Sequence, residues 1–203
     1  MASRTAPDPA RRSERARAAV LAAAAELVAE VGYGRLTVEA IAARAGVGKQ
    51  TIYRWWPSKG AVVFDAFLAA GEHDGGLALP DTGDLAADLR AVLRPTSDEL
   101  GDPATDRTYR ALVAEILNDP ALHAEYRTRL LDPLLEVTRD RLRSAREAGG
   151  LPPDTDLDLA VELLYGPIYY RWQYRLGPLT HEHADRLVDA ALRALNRPAA
   201  PGA

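Results

Sequence analysis

Thr37–Lys59 reads TVEAIAARAGVGKQTIYRWWPSK, and the architecture of the chain follows from this segment. Its apolar residues indicate two short helices joined by a tight turn. The inward face of the first helix is formed by residues at helical spacing, namely Val38, Ile41, Ala42 and Ala45. Gly46 then ends this helix, because glycine adopts the left-handed backbone conformation at low steric cost.

The second helix is predicted to span about Gly48–Trp55, with Pro57 closing it. Thr37 is the expected N-cap of the first helix, since its hydroxyl oxygen can accept a hydrogen bond from a free amide two or three residues later. A small alanine in the first helix and a glycine in the turn let the two helices cross closely. This combination is a helix-turn-helix, whose second helix lies in the major groove of DNA.

The same stretch, together with the helix before it, resembles the DNA-binding domain of the TetR family of bacterial repressors. The residues that carry the resemblance are Thr37, Ala42, Gly46, Val47, Lys49, Thr51, Ile52, Tyr53 and the run Pro57-Ser58-Lys59. The rest of the chain matches as a long all-helical segment. The resemblance implies a repressor that a small molecule releases from DNA.

The resemblance also implies which side chains contact DNA. Tyr53 and Lys59 would hold phosphates, and Thr37 would place the first helix on the DNA backbone. The bases would be faced by Lys49, Gln50 and Thr51, with either Arg54 or Trp55. Lysine and arginine pair with guanine edges and glutamine pairs with adenine, so these residue types suit base recognition. Gln50 departs from the small residue often found at its position in the family.

The charge of the chain is divided unevenly. Residues 1–70 carry 10 Lys and Arg against 6 Asp and Glu, a net charge of +4, whereas residues 71–203 carry 15 against 23, a net charge of −8. The basic excess lies with the helix-turn-helix, as phosphate binding requires. The sequence has no cysteine and no apolar run long enough to span a bilayer, which predicts a cytoplasmic protein without a membrane partner.

An all-α fold is predicted, because no alternating strand pattern occurs in the sequence. We expect a disordered arm at residues 1–10, a three-helix DNA-binding domain at 11–57, a connecting helix at 58–71, and a helical-bundle domain for effector binding and dimerisation at 72–203. The first helix is expected at 16–31. The arginines around its start, Arg11, Arg12, Arg15 and Arg17, either contact DNA or only aid solubility.

Five further helices are predicted after a Gly- and Pro-rich loop at 72–83. They cover about 84–94, 104–118, 120–148, 156–176 and 180–196. Pro133 is expected to kink the 120–148 helix or to split it, with Asp132 capping the second part.

We predict no catalytic residue, no cofactor and no metal. His181 and His183 are two positions apart on a helix, so they point in different directions. The acidic residues Asp98, Glu99, Asp102 and Asp106 lack the ligand spacing and the central glycine of a calcium loop. No nucleophile motif occurs in the sequence.

A homodimer is predicted from an apolar stripe on the last helix that no later residues cover. Paired across a two-fold axis with the preceding helix, this stripe would form a four-helix bundle and would require a near-palindromic operator. The interface residues are Leu159, Leu163, Leu187, Val188, Ala191, Leu192 and Leu195.

An aromatic segment, Tyr165–Arg175, suggests an effector pocket, although such stripes also occur in cores and subunit interfaces. Its Gly-Pro-x-Tyr-Tyr-Arg pattern looks like the C-terminal domains of one TetR subgroup. Buried tyrosine hydroxyls need partners, which an amphipathic or aromatic ligand could supply. The predicted lining is Leu89, Val92, Leu112, Ile116, Leu130 and Leu134, with Tyr165 and Tyr169 as the aromatic wall.

These observations favour a transcriptional regulator that binds double-stranded DNA, with repression and effector control implied by the family resemblance alone. Two other classes remain open at this point. One is a small-molecule enzyme that carries the same DNA-binding module. The other is a constitutive dimeric DNA-binding protein without a ligand.

Overall fold

A computed structural model describes residues 9–71 and 79–196, and its ordered elements in these ranges are helical. The all-α prediction is confirmed. Within the described residues, no helix is long and apolar enough to cross a membrane. The α-helices are α1 (Pro9–Val31), α2 (Val38–Ala45), α3 (Lys49–Trp55), α4 (Lys59–Gly71), α5 (Leu85–Gly101), α6 (Pro103–Asn118), α7 (Pro120–Tyr126), α8 (Asp132–Glu147), α9 (Leu157–Gln173) and α10 (His181–Leu195).

The chain forms two compact units. The first unit contains the described residues up to Gly71 together with Arg107–Tyr126, and the second contains the described residues from Leu79 to Asp106 and from Arg127 onward. The sequence assigned 107–126 to the C-terminal domain instead. Aromatic side chains explain the difference, because residues of α6 and α7 pack on α4. These ring pairs are Phe67 with Tyr109 at 5.6 Å and Phe64 with Tyr126 at 6.1 Å.

In the first unit, α1 packs on α2 and α4. The side chains of Val20, Ile41 and Phe64 are fully buried there. Helix α1 begins at Pro9, earlier than the predicted start at residue 16, and proline is well tolerated in a first helical turn. Most of the predicted arm, residues 1–8, lies outside the described residues.

Helix α5 continues beyond its predicted end at residue 94 and contains Pro95. Proline at this position removes the bond that an N–H would make to the carbonyl of Ala91. Two hydroxyls that follow it bond back to other carbonyls of the preceding turn. Thr96 Oγ1 donates to Val92 O at 2.9 Å, and Ser97 Oγ donates to Leu93 O at 2.8 Å. The apolar face of α5 continues past the proline, since Leu100 is also buried.

The predicted 120–148 helix has no break in its helical residues, but its middle turn is π-helical. Helix α7 ends at Tyr126, a π-helical segment spans Arg127–Leu131, and α8 begins at Asp132 with Pro133 in its first turn. The prediction that Asp132 caps α8 is wrong, because the cap position is Leu131. The Asp132 carboxylate instead accepts a hydrogen bond from Arg127 Nε at 2.8 Å.

Helix α10 packs on α5 within the second unit. Its N-cap is Thr180, with Oγ1 accepting from His183 N at 3.1 Å. Arg94 of α5 forms two hydrogen bonds with Asp185 of α10, at 2.8 and 2.7 Å. This packing buries Val188 and Ala191, so these two residues of the predicted dimer interface belong to the core of the protomer.

A buried ion pair joins α5 to α8 in the second unit. Arg141 NH2 lies 2.7 Å from Asp88 Oδ2, and the two side chains are 4% and 1% exposed. Thr82 Oγ1 donates to Asp88 Oδ1 at 2.7 Å. Burial pushes the pKa of Asp88 upward, but the hydrogen bonds from Thr82 and Arg141 outweigh burial and hold the pKa below its ordinary value.

We expect Asp88→Asn to lower the free energy of unfolding by about 3 kcal/mol, because it leaves the buried Arg141 beside a neutral amide. Urea denaturation at neutral pH measures the loss. The matched control is Asp158→Asn, which breaks the ion pair between Asp158 and Arg139. Because the Asp158 side chain is 75% exposed, this substitution should lower the free energy of unfolding by no more than about 1 kcal/mol. Equal losses in the two variants would contradict the prediction.

The same pair makes stability depend on acid. Because the folded pKa of Asp88 lies below the unfolded value near 3.8, its contribution is present above that pH and is lost as the pH falls through the folded pKa. The difference in stability between the wild-type chain and Asp88→Asn should therefore shrink in strong acid. A constant difference down to acid denaturation would exclude this linkage.

Candidate DNA-binding surface

The predicted turn between α2 and α3 is confirmed in its detail. Thr37 Oγ1 accepts a hydrogen bond from Ala40 N at 3.1 Å, which caps α2. Gly46 ends the helix in the left-handed region, with φ of 66° and ψ of 32°. Val47 N then donates to Ala42 O at 3.0 Å. These bonds satisfy free backbone groups at both ends of α2 and fix the direction in which α3 begins.

Helix α3, the recognition helix, turns one apolar residue inward and most of its polar residues outward. Ile52 is fully buried. Thr51 and Trp55 are half-buried. The exposed side chains are those of Lys49, Gln50, Tyr53 and Arg54. The structure thus brings together on one short helix six of the eight residues predicted to contact DNA.

Two contacts occupy charged groups of α3. Lys49 Nζ lies 3.0 Å from Glu39 Oε1, and the hydrogen bond from Lys49 lowers the pKa of Glu39. Both side chains are more than half exposed, and such surface pairs contribute only about 0–1 kcal/mol, so DNA could replace Glu39 as the partner. The Arg54 guanidinium lies 5.2 Å from the centroid of the Trp55 ring.

Lys59 is the first residue of α4, and contacts with Tyr33 hold its side chain in place. Its Nζ donates to Tyr33 O at 3.1 Å and lies 4.1 Å from the centroid of the Tyr33 ring. A lysine ammonium has three donors, so this arrangement leaves donors for a phosphate. Ser58 caps α4, with Oγ accepting from Ala61 N at 3.2 Å.

Trp56 is a buried anchor that the sequence interpretation did not single out. Its Nε1–H donates to Asp65 Oδ2 at 2.8 Å, and the ring is 4% exposed. Arg17 NH2 lies 2.7 Å from the same carboxylate oxygen, so this arginine is bonded inside the protein. Trp56 lies directly after α3 with an extended backbone, so helical spacing gave no signal for its burial.

The predicted effector residues are divided between the two units. Leu112 and Ile116 are buried in the first unit. Leu89 and Tyr165 are buried in the second unit, where Val92, Leu130, Leu134 and Tyr169 are half-buried.

The Tyr165 hydroxyl has a partner inside the protein, the Thr138 hydroxyl at 2.9 Å. Burial raises the pKa of Tyr165. The sequence argument that this hydroxyl requires a ligand therefore does not hold.

The polar residues considered as metal ligands have other surroundings. His181 Nε2 lies 2.8 Å from Asp98 Oδ2. Burial, with Arg171 and Arg186 nearby, lowers the pKa of His183. Among the residues that the structure describes, no group of three or more His, Asp or Glu side chains could hold a metal ion.

A capped helix-turn-helix with a polar, exposed second helix defines this protein as a DNA-binding regulator. Comparisons with known proteins agree. The family model described as "Bacterial regulatory proteins, tetR family" matches residues 20–66, and the one described as "Tetracyclin repressor-like, C-terminal domain" matches residues 79–191. The chain belongs to the TetR family, and it is a DNA-binding transcriptional regulator.

Relatives cover most of the chain. It is 36% identical over 163 residues to the uncharacterized HTH-type transcriptional regulator YdeS of Bacillus subtilis, which is 79% of each chain. It is 33% identical over 192 residues to the DNA-binding transcriptional repressor TetR of Mycobacteroides abscessus, covering 93% of this chain and 98% of that one. The crystal structure of the TetR family transcription regulator SCO0332 matches with a TM-score of 0.71 and 36% identity, covering 88% and 97%.

Proposed function

We propose that this regulator is a homodimeric repressor that binds a near-palindromic operator and is released from it by a small molecule. The observation that carries the proposal is the polar face of α3, exposed at Lys49, Gln50, Tyr53 and Arg54 while Ile52 is buried. Repression is supported by the M. abscessus relative that is named as a repressor. The proposed function includes no chemical turnover.

Each DNA-contacting residue has a proposed role. Tyr53 and Lys59 bind phosphates, and Thr37 sets the start of α2 against the DNA backbone. The bases are read by Lys49, Gln50 and Thr51, with Arg54 or Trp55. The exposure of most of these side chains supports the assignment, and the anchored position of Lys59 suits a phosphate contact that is independent of sequence.

The proposed dimer forms through α9 and α10. Along α9, residues at helical spacing leave large side chains exposed, since Leu159 is 49% and Leu163 is 36% exposed. Tyr170 and Tyr174 continue the same face at 60% and 63% exposure, with ring centroids 5.1 Å apart. Exposed apolar surface of this extent is typical of an interface.

Helix α10 contributes fewer residues to the proposed interface than its sequence suggested. Leu187, Leu192 and Leu195 are half-buried and remain in the proposal, whereas Val188 and Ala191 are left out because the protomer buries them. Pairing across a two-fold axis would build a four-helix bundle. Two recognition helices would then enter successive major grooves about 34–36 Å apart.

The proposed effector pocket lies in the second unit and is lined by half-buried residues. These are Val92, Leu130, Leu134 and Tyr169. Leu130 belongs to the π-helical segment, and such segments frequently occur at functional sites. Pro167 lies inside α9 and has no N–H, so one carbonyl of the preceding turn lacks its helical donor. An amphipathic or aromatic molecule suits a mostly apolar lining with a few polar groups.

The DNA contacts are tested by selecting bound duplexes from random DNA. We expect Gln50→Ala to change the preferred base at one position in each half-site, and Lys59→Ala to weaken binding to every duplex alike. With six to eight phosphates contacted by a dimer, the slope of log affinity on log salt should be about −5 to −7. A slope near zero, or binding profiles unchanged in both variants, would contradict the assignment.

The dimer is tested by sedimentation at micromolar concentration. We expect the wild-type chain to sediment as a dimer and Leu163→Glu as a monomer, because the substitution buries a charge in an apolar interface. Leu117→Glu is the matched control, since Leu117 is 70% exposed and lies outside the proposed interface. A monomeric wild type, or a Leu163→Glu chain that stays dimeric, would rule out this interface.

The effector pocket is tested by screening for compounds that dissociate the complex with the selected DNA. Tyr169→Leu should raise the concentration needed for release about tenfold, because it removes a ring of the aromatic wall together with its hydroxyl, and it should leave DNA affinity unchanged. Tyr165→Phe is the control, because the hydroxyl it removes is bonded to Thr138. If Tyr169→Leu responds at the wild-type concentration, Tyr169 lies outside the pocket.

A further inference from the structure

Three side chains from separate parts of the first unit meet at one carboxylate oxygen, and we call them the Asp65 junction. Trp56 Nε1–H donates to Asp65 Oδ2 at 2.8 Å, and Arg17 NH2 lies 2.7 Å from the same atom. The Arg17 guanidinium also lies 5.8 Å from the centroid of the Trp56 ring. The junction thus connects α1, α4 and the residue directly after α3.

We propose that Asp65 is a positioning residue for the recognition helix, and that the Asp65 junction determines how well α3 discriminates its operator from other DNA. The proposal rests on the sequence-specific DNA binding proposed above. It adds residues that contact no base and no phosphate to the group that sets specificity.

Helix α3 depends on outside support. It has seven residues, and its N-cap, Gly48, makes no side-chain hydrogen bond to it. Isolated helices of this length are unstable in water, so tertiary contacts must hold α3 in place. Within α3 the fully buried side chain is Ile52, and Trp56 is buried directly after the helix. The backbone N–H of Trp56 donates to Ile52 O at 2.9 Å.

Apolar packing alone would leave the orientation of α3 loosely defined. Hydrophobic burial is non-directional, whereas a hydrogen bond fixes the direction of its donor. The indole N–H of Trp56 has one acceptor in the Asp65 carboxylate, and this bond fixes the rotation of a large ring about the end of α3. Arg17 supplies the counter-charge that this buried carboxylate requires.

Base recognition is more sensitive to a displaced helix than phosphate binding is. Bidentate contacts to base edges need matched donors and acceptors at fixed places, whereas a lysine on a flexible stem reaches a phosphate from many positions. A tilt of α3 would therefore weaken binding to the operator and leave binding to unrelated DNA almost unchanged. A residue that serves only stability would not change this ratio.

The test compares variants on two duplexes, one selected from random DNA by the wild-type chain and one with the same composition in scrambled order. Asp65→Asn keeps the shape of the side chain and removes its charge, and Trp56→Phe keeps an aromatic ring and removes the N–H. The ratio of the affinity for the selected duplex to the affinity for the scrambled duplex should fall about tenfold in each variant. Loss of one bidentate base contact lowers discrimination by roughly 5- to 150-fold, and the expected fall lies within that range. Affinity for the scrambled duplex should stay within about twofold of wild type, because the phosphate contacts remain.

Two controls separate positioning from stability. Val62→Ala shortens a fully buried side chain of α4 that belongs to the apolar core, and should lower the melting temperature without changing the affinity ratio. The double variant Asp65→Asn with Trp56→Phe should lose no more discrimination than Trp56→Phe alone, because the first change weakens the acceptor of the same bond whose donor the second change removes.

Each other outcome overturns the proposal. If Asp65→Asn and Trp56→Phe keep the wild-type ratio, or if Val62→Ala lowers it equally, the junction serves stability alone. Losses that multiply in the double variant would show that Asp65 does not act through Trp56. If Asp65→Asn fails to fold, Trp56→Phe decides the result by itself. A wild-type chain that selects no sequence would instead refute the proposed function, and the inference with it.

Discussion

The recognition helix is too short to be stable by itself, and the first unit is built around that constraint. Its seven residues are held by the burial of Ile52 and, directly after the helix, of Trp56. The cap at Thr37 and the left-handed Gly46 fix α2, which in turn fixes where α3 begins. Because Ile52 and Trp56 support α3 from its inner side, the outer face of α3 contributes little to packing and is available for polar side chains that contact DNA.

Charge is used differently in the helix-turn-helix and in the core of the second unit. In the first unit, positive groups of the helix-turn-helix lie at the surface in weak or partial pairs, such as Lys49 with Glu39. In the second unit, which belongs to the acidic part of the sequence, arginines pair inside the protein with Asp88 and between helices with Asp185. Exposed pairs exchange partners readily, whereas buried pairs are costly to break. The first arrangement suits a binding surface and the second suits a scaffold.

Local signals in the sequence were sufficient for the helix-turn-helix and for most helices. Thr37, Gly46, Ser58 and Thr180 act within a few residues of where they stand, so their roles can be read from neighbours. The predictions that were wrong involve contacts between residues distant in sequence, or an apolar face that continues past a proline. The sequence placed the end of α5 at about residue 94, but the helix continues through Pro95 with an apolar face that extends to the buried Leu100. The bond between Trp56 and Asp65, and the burial of Val188 against α5, depend on packing that no local pattern encodes.

Tyr165 shows that a polar group can find its hydrogen-bond partner inside the protein. Buried hydroxyls do need partners, and the Thr138 hydroxyl is the partner of the Tyr165 hydroxyl, so polar groups without an obvious partner in the sequence can be paired inside the protein.

Helix α4 holds Asp65 against Trp56 on one side and stacks Phe67 on Tyr109 of α6 on another. Both contacts lie within the first unit. Any displacement of α6 that moves α4 must therefore carry the end of the recognition helix with it or break a buried hydrogen bond, and for a short helix either event changes how it meets DNA.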